Sequence, residues 1–578
     1  MNVLTKNNRS GWWDILAILL YFPATFIMTY PLIMHLDGQW LAYYDPDAFI
    51  KIWDIWWLRH LLTQGGSWVQ TSYLFYPHGL DMSIHSISWV VAGVGLLLMT
   101  VFNIITVFNL TVLLAILTTG WGAYYLAREW HLSRPAAWLA GAVYTFVPTH
   151  IAHAGGHPDL TFLLPIPLAV LFMKRALEQK SYRHAVYLAL TIGLAAFTSL
   201  YILDFLFFTL APLFVFWTFT DGRWRNGRFL KVVAVTSILS LLILLLRLWP
   251  ILSHLEVLTE AMDMKFFAAQ TQTDLRAFVT PSRLHTIFAP LVEDVASQFA
   301  FNKRWPAYLG IVALLLMVTA VTWRKKWRVV WPWFITGILF FLLAIGPVLR
   351  VNGQVYDTVN LPYSYLEWFP PVRTVGRPDF FVMGLILPLA ICAAFGLERL
   401  LIRLQNHSGW RIALVVGAVS LLLFEYWNGP FRGSVPAVSA FYDTLAANDE
   451  QTAVIDLPLG RQPSKRYMYY QTIHGKPIAE GLSARTPAEA YVYIDNNLLL
   501  RQWRQEVPLN CETVSAQSIQ QAIQVLIQDG FRYVMVHHEI EGEFPSYFVD
   551  YFPISPFFAD EQITVFALED LQAASICP

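Results

Sequence analysis

The chain has 578 residues, of which 56% are hydrophobic, 15% aromatic and 14% charged, with a mean hydropathy of +0.47. Soluble domains run at roughly 25% charged residues, so a wholly soluble protein is excluded. A net charge of −1 offers no electrostatic footprint for nucleic acid, and Cys392, Cys511 and Cys577 lack metal-ligand spacing.

The apolar residues gather into blocks of about 20, the length that crosses a bilayer as a helix. In chain order the expected spans are 13–34, 104–127, 135–152, 160–177, 184–201, 203–220, 230–250, 306–323, 329–349, 379–398 and 411–428. No small-residue cleavage site follows the first block, so it is read as a retained helix. The block 84–101 is also apolar, but little more than Asn103 separates it from the next span. The positive-inside rule decides how it is read. If 84–101 lies flat or re-enters, one side collects Lys6, Arg9, Arg128, Arg134, Lys174, Arg175, Arg223, Arg324, Lys325, Arg399 and their basic neighbours. If it crosses, the first pair sits opposite the rest. The expectation is therefore an α-helical polytopic membrane protein with 11 spans and a cytoplasmic N-terminus. Loops 35–103, 251–305 and 350–378, with everything after about 429, then lie outside.

From residue 430 the chain carries charges, alternation and turn signals. "TAVIDLPL", "FRYVMVHH" and "QITVFAL" read as strands. "SIQQAIQVLIQDG" has helical spacing and ends with Gly530 at a C-cap position. Residues 1–429 are thus expected to form the transmembrane part, and 430–578 a small α/β extracytoplasmic domain. There Cys511 and Cys577 are a disulfide or two thiols, depending on the compartment they face.

Three outer segments carry chemistry. In "LAYYDPDAFIKIWDIWWLRHLL", Asp45 and Asp47 flank Pro46, and an amphipathic interfacial helix follows with Ile52, Trp53, Ile55, Trp56 and Trp57 on its apolar face. Two carboxylates there suit acid/base work or cation binding; the plainer reading is helix capping. "YLFYPHGLDMSIHS" offers Tyr76, His78, Asp81 and His85 round a turn, or an ordinary loop. "PTHIAHAGGHPDL" sets His150, His153 and His157 beside Asp159. Histidine with carboxylate binds a divalent metal or moves a proton; alternatively the segment only caps the next span. Asp204 sits near another membrane boundary. Among the outward basic residues, Arg247, Lys303 and Arg304 fit anchoring to lipid headgroups. Arg373 and Arg377, in the Pro-rich "WFPPVRTVGRPDF", suit a phosphate.

These segments resemble the GT-C superfamily of membrane glycosyltransferases, closest to a group of bacterial multi-pass proteins within it. "YYDPDAFIKIWDIWWL", "LFYPHGLDMSIHS", "AHAGGHPDL", "FPPVRTVGRPDFF" and "YMYYQTIHGKPIAEGLSAR" carry the resemblance from about residue 10 to 490. It implies a polyprenyl-phosphate sugar donor and inverting transfer on the outer face of the bacterial cytoplasmic membrane. The acceptor would be a glycan, lipid or protein. It also implies that the first-loop carboxylates are catalytic, with Asp47 as base and Asp45 as its partner or a metal ligand. Arg373 and Arg377 would hold the donor phosphate. His157, Asp159 and His78 would contact sugar or metal. A divalent cation, Mg²⁺ or Mn²⁺, would sit at Asp45 and His157. The competing readings are a transporter or flippase of a lipid-linked or polar solute, and a non-catalytic envelope assembly protein.

Overall fold

The computed structural model describes residues 10–36, 38, 40–42, 46–83, 85–220, 222–253, 268, 270–299, 305–448, 452–483, 486–505, 514–538 and 554–573. Asp45, Lys303, Arg304, Cys511 and Cys577 lie outside the described residues, and so do the expectations attached to them.

Eight helices among the described residues are long and apolar enough to cross a membrane. They are Gly11–Met28, Ile104–Glu129, Pro158–Gln179, Leu200–Thr220, Gly227–Leu252, Arg324–Ala344, Pro378–Arg403 and Ser408–Tyr426. The other expected spans are shorter helices of the same bundle. Segment 135–152 divides into Arg134–Phe146 and Pro148–Ala154, because Pro148 holds Val147 extended and opens a new helix. Tyr182–Thr198 has 17 residues and Ile311–Val321 has 11. Within the 84–101 block, Trp89–Leu98 has 10 residues. Its rise of about 15 Å is half of a hydrocarbon core of roughly 30 Å, so it is too short to cross.

The bundle is organised round Phe381–Arg403, whose apolar stretch is wholly buried. Gly384 and Gly396 allow this. A Cβ on the first would collide with the Phe340 ring, and on the second with the Leu316 carbonyl. The flanking helices Trp327–Ala344 and Ile311–Val321 therefore pack close to it, the small-residue mode of membrane helices.

One end of the bundle gathers the basic residues expected inside. Asp14 pairs with Arg128 at 3.3 Å and Arg134 at 3.0 Å. Glu129 pairs with Arg175 at 2.7 Å and Lys174 at 3.5 Å. Glu178 lies 3.9 Å from Arg223. The first loop and the C-terminal domain meet at the other end.

That domain holds a four-stranded sheet. Ala453–Leu457 runs parallel to Phe531–His537, which pairs antiparallel with Ile563–Ala567, itself paired with Phe558–Ala559. The Ala516–Gln528 helix ends at the expected turn, where Gly530 takes φ +96°. The domain is joined to the membrane part along a continuous seam. Leu41 and Ala42 pair with Ser434 and Gly433. Ile478 donates to the Tyr73 carbonyl at 3.0 Å and accepts from the Tyr76 amide at 3.1 Å. Gln471 accepts from the Trp53 indole at 2.7 Å and donates to the carbonyls of Tyr73 and Lys476.

Gln471→Leu strands the buried Trp53 N–H, and each buried polar group left unpaired costs about 1–3 kcal/mol. Thermal unfolding in detergent should show a lower midpoint than wild type, and a protease should reach the C-terminal domain sooner. An unshifted midpoint would mean that this seam does not hold the domain.

Candidate active site

The helix Asp47–Gln64 begins where Pro46 sets the turn, with Asp47 in its first turn. The sequence suggests a helix lying on the lipid surface. Instead it is mostly buried, with Trp53 fully covered. The reason is tertiary: the tail helix Pro463–His474 and the short Trp89–Leu98 helix pack on its aromatic faces. Tyr469 meets Phe49 with ring centroids 5.3 Å apart, beside the Gln471–Trp53 hydrogen bond.

The helical repeat places Asp47, Lys51 and Asp54 in one row. Lys51 Nζ lies 3.3 Å from Asp54 Oδ2 and 3.6 Å from Asp159 Oδ2, and donates to the Ser86 carbonyl at 2.7 Å. Asp54 Oδ1 meets His85 Nε2 at 2.9 Å. Lys51, Asp54, His85 and Asp159 are each at most 5% exposed. Burial alone would push the Lys51 ammonium down. Asp159 and Asp54 outweigh it and hold the group above its usual range, so it stays charged.

Asp47 closes the row at the mouth of the bundle. Its Oδ2 is 3.5 Å from His157 Nε2 and its Oδ1 is 2.5 Å from Lys465 Nζ. Burial raises its pKa, but His157, Lys465 and Lys51 overcome that and bring it below the usual carboxylate range. Asp47 is therefore an anion at neutral pH, with its side chain 28% exposed.

Beyond His157 the wall is aromatic and basic. The His157 ring lies 6.0 Å from Trp305, and His153 stacks on Trp305 at 5.0 Å. The Arg377 guanidinium sits over Trp305 at 4.6 Å and over Phe380 at 4.4 Å. Burial, with the nearby His157 and Arg377, pushes the His153 imidazole well below its ordinary pKa. Its Nδ1 donates to the Thr149 carbonyl at 2.7 Å, leaving Nε2 as a bare acceptor without a hydrogen-bond partner.

The first loop, the 150–159 segment and the loop before Pro378 thus converge as the motifs imply, with Asp47, His157, Asp159 and Arg377 in one cluster. Two residues do not join it. His78 is exposed and packs edge-on against Tyr493 of the C-terminal domain at 5.4 Å, because the cis Tyr76–Pro77 turn carries it to the seam. Arg373 is exposed at the end of the six-residue Pro370–Val375 helix and takes no part in the contacts that build the cluster. Arg377 is also more committed than expected. It forms a two-pronged pair with Asp379 at 3.1 and 2.7 Å, so its charge is already matched. His150 is structural, its ring nitrogens against the carbonyls of Thr145 and Thr161.

The sequence-level reading passed over Lys51, Asp54, Trp305 and Lys465. The first two left a signal, since charges three and four residues apart on an aromatic helix form a row. Lys465 left none, because its partner lies at the other end of the chain. Arg247 was read as a lipid anchor, yet it is 8% exposed, and its Nε has no hydrogen-bond partner. With Trp68, Trp89, His85, Phe197 and Leu246 it lines a cavity of about 350 Å³.

A divalent cation requires several converging donors, typically about six oxygens for Mg²⁺. No group of three His, Cys, Asp or Glu side chains among the described residues forms such a set. Asp47 and His157 offer two donors, Asp159 faces Lys51, and the Lys465 ammonium stands where a third ligand would be. Among the described residues these do not complete a metal site; Asp45, the other expected ligand, lies outside them.

The helical bundle, with its first loop and docked tail, shares its fold with a solved arabinofuranosyltransferase. Arabinofuranosyltransferase AftD from Mycobacteria superposes with a TM-score of 0.55 and 14% identity, covering 97% of this chain and 40% of that one. The chain thus spans 40% of the length of that enzyme. ArnT from Cupriavidus metallidurans, solved bound to undecaprenyl phosphate, gives 0.47 and 14% identity over 97% of this chain and 98% of that one. The Archaeoglobus fulgidus oligosaccharyltransferase gives 0.47 and 13% identity over 92% and 70%. The chain belongs to the family described as Domain of unknown function (DUF6311), which matches residues 17–425. A search of curated proteins finds no match.

Lys51→Met would leave Asp54 and Asp159 buried without their cation, and breaking a buried pair this way costs roughly 3–5 kcal/mol. The variant should unfold at markedly lower temperature, and adding Asp54→Asn should recover part of the loss. A single variant as stable as wild type would show that Lys51 does not hold the row together.

Proposed function

We propose that the protein is a membrane glycosyltransferase. It moves a sugar from a polyprenyl-phosphate-linked donor to an acceptor hydroxyl on the outer face of the cytoplasmic membrane, with its N-terminus in the cytoplasm. The observation that carries the reading is the anionic Asp47 at the outer mouth of a GT-C bundle, reached by three separate outer segments. The fold shared with an arabinofuranosyltransferase supports the reaction class. The basic cluster at the opposite end supports the orientation.

In this reading Asp47 takes the proton of the acceptor hydroxyl. The acceptor oxygen attacks the anomeric carbon as its bond to the phosphate oxygen breaks, and the carrier leaves as polyprenyl phosphate. One displacement of this kind inverts the anomeric centre. Trp305 offers a flat face for a sugar ring beside His157. Arg247 is a cation suited to the carrier phosphate, since a buried guanidinium with no counter-ion among the described residues is costly until an anion reaches it. The apolar walls of its cavity suit the lipid chain.

The test uses purified protein, a panel of polyprenyl-phosphate sugars and envelope acceptors. Asp47→Asn should lower transfer by about 10²–10⁴-fold, the usual yield of a general base, with membrane insertion intact. Arg247→Gln should weaken retention of polyprenyl phosphate with or without a sugar. Normal turnover by Asp47→Asn would remove it as the base, and unchanged carrier affinity in Arg247→Gln would return that residue to an anchoring role.

A further inference from the structure

The shorter of the two ion pairs of Asp47 among the described residues reaches into the C-terminal domain. Lys465 lies in the first turn of the Pro463–His474 helix, is 8% exposed, and places Nζ 2.5 Å from Asp47 Oδ1. Its position is fixed by register. The Asp47–Gln64 and Pro463–His474 helices lie side by side and advance together: Asp47 meets Lys465, Phe49 meets Tyr469, and Trp53 meets Gln471. The domain carrying Lys465 is pinned to the first loop through Ile478, Tyr73 and Tyr76. The ammonium is therefore a built part of the site.

We propose that Lys465 occupies the place of a divalent cation at Asp47 and serves as the positioning residue for that base. The inference rests on reading Asp47 as the catalytic carboxylate. Among the described residues a cation bound there would have only Asp47 and His157 as donors, and the ammonium already takes one carboxylate oxygen while repelling a second positive charge. The pair engages Oδ1, and Oδ2 lies on the His157 side. It fixes the carboxylate rotamer. Membrane bundle and soluble domain thus form one catalytic unit, and removing the domain removes the counter-ion of the base.

The test titrates the purified full chain with Mn²⁺ and reads the free ion by electron paramagnetic resonance, with thermal unfolding as the fold control. Wild type should hold no Mn²⁺ that Asp47→Asn abolishes. Lys465→Arg should behave likewise. Lys465→Glu exchanges the ammonium for a third ligand and should gain one equivalent, with apparent affinity at least about tenfold above wild type. Adding Asp47→Asn should remove that gain. An equivalent of Mn²⁺ bound by wild type and lost in Asp47→Asn overturns the proposal, whatever the variants do. So does a folded Lys465→Glu that gains nothing. Because the readout is metal binding, missing transfer activity would count against the proposed reaction and not against this assignment.

Discussion

Charge taken out of water must be paired, and this constraint shapes the end of the molecule where the first loop meets the C-terminal domain. A buried ammonium or carboxylate without a partner costs several kcal/mol. Lys51, Asp54, Asp159 and His85 meet that constraint among themselves and so tie the first loop to the segment after Ala154. Asp47 meets it with His157 and Lys465, which ties the same helix to the C-terminal domain. The geometry of the cluster follows from these pairings, since no member moves without stranding another.

The membrane part supplies a stiff base for it. Phe381–Leu397 is buried throughout, and glycines let its neighbours approach closely. The helix runs directly from the Pro378–Phe380 turn, which places Arg377 and Phe380 against Trp305. A rigid helix thus sets the aromatic wall, while loops and the tail set the carboxylate opposite. Sites held on rigid elements keep their reacting groups in register.

Arg247 and Arg377 show how an arginine's environment separates its roles. Both stand near the outer boundary. Arg377 has Asp379 on its fork and two aromatic rings beneath it. Arg247 is buried in an apolar cavity without a described counter-ion, and so is primed for an anion that arrives from elsewhere.

The sequence alone determined the membrane class, the paired basic end, the soluble α/β tail and the strands and helix within it. Hydrophobic blocks, charge bias and local turn chemistry act over a few residues, so they can be read from neighbours in the chain. It also pointed to Asp47, His157 and Asp159, because polar clusters beside apolar spans are conspicuous. Only the tertiary structure decided that the Asp47 helix is covered, that His78 and Arg373 stand aside, and that Lys465 faces Asp47. Those outcomes depend on which distant surfaces pack together. The match between Lys465 and Asp47 follows from two helices laid in register, a relation that no local pattern in either helix encodes.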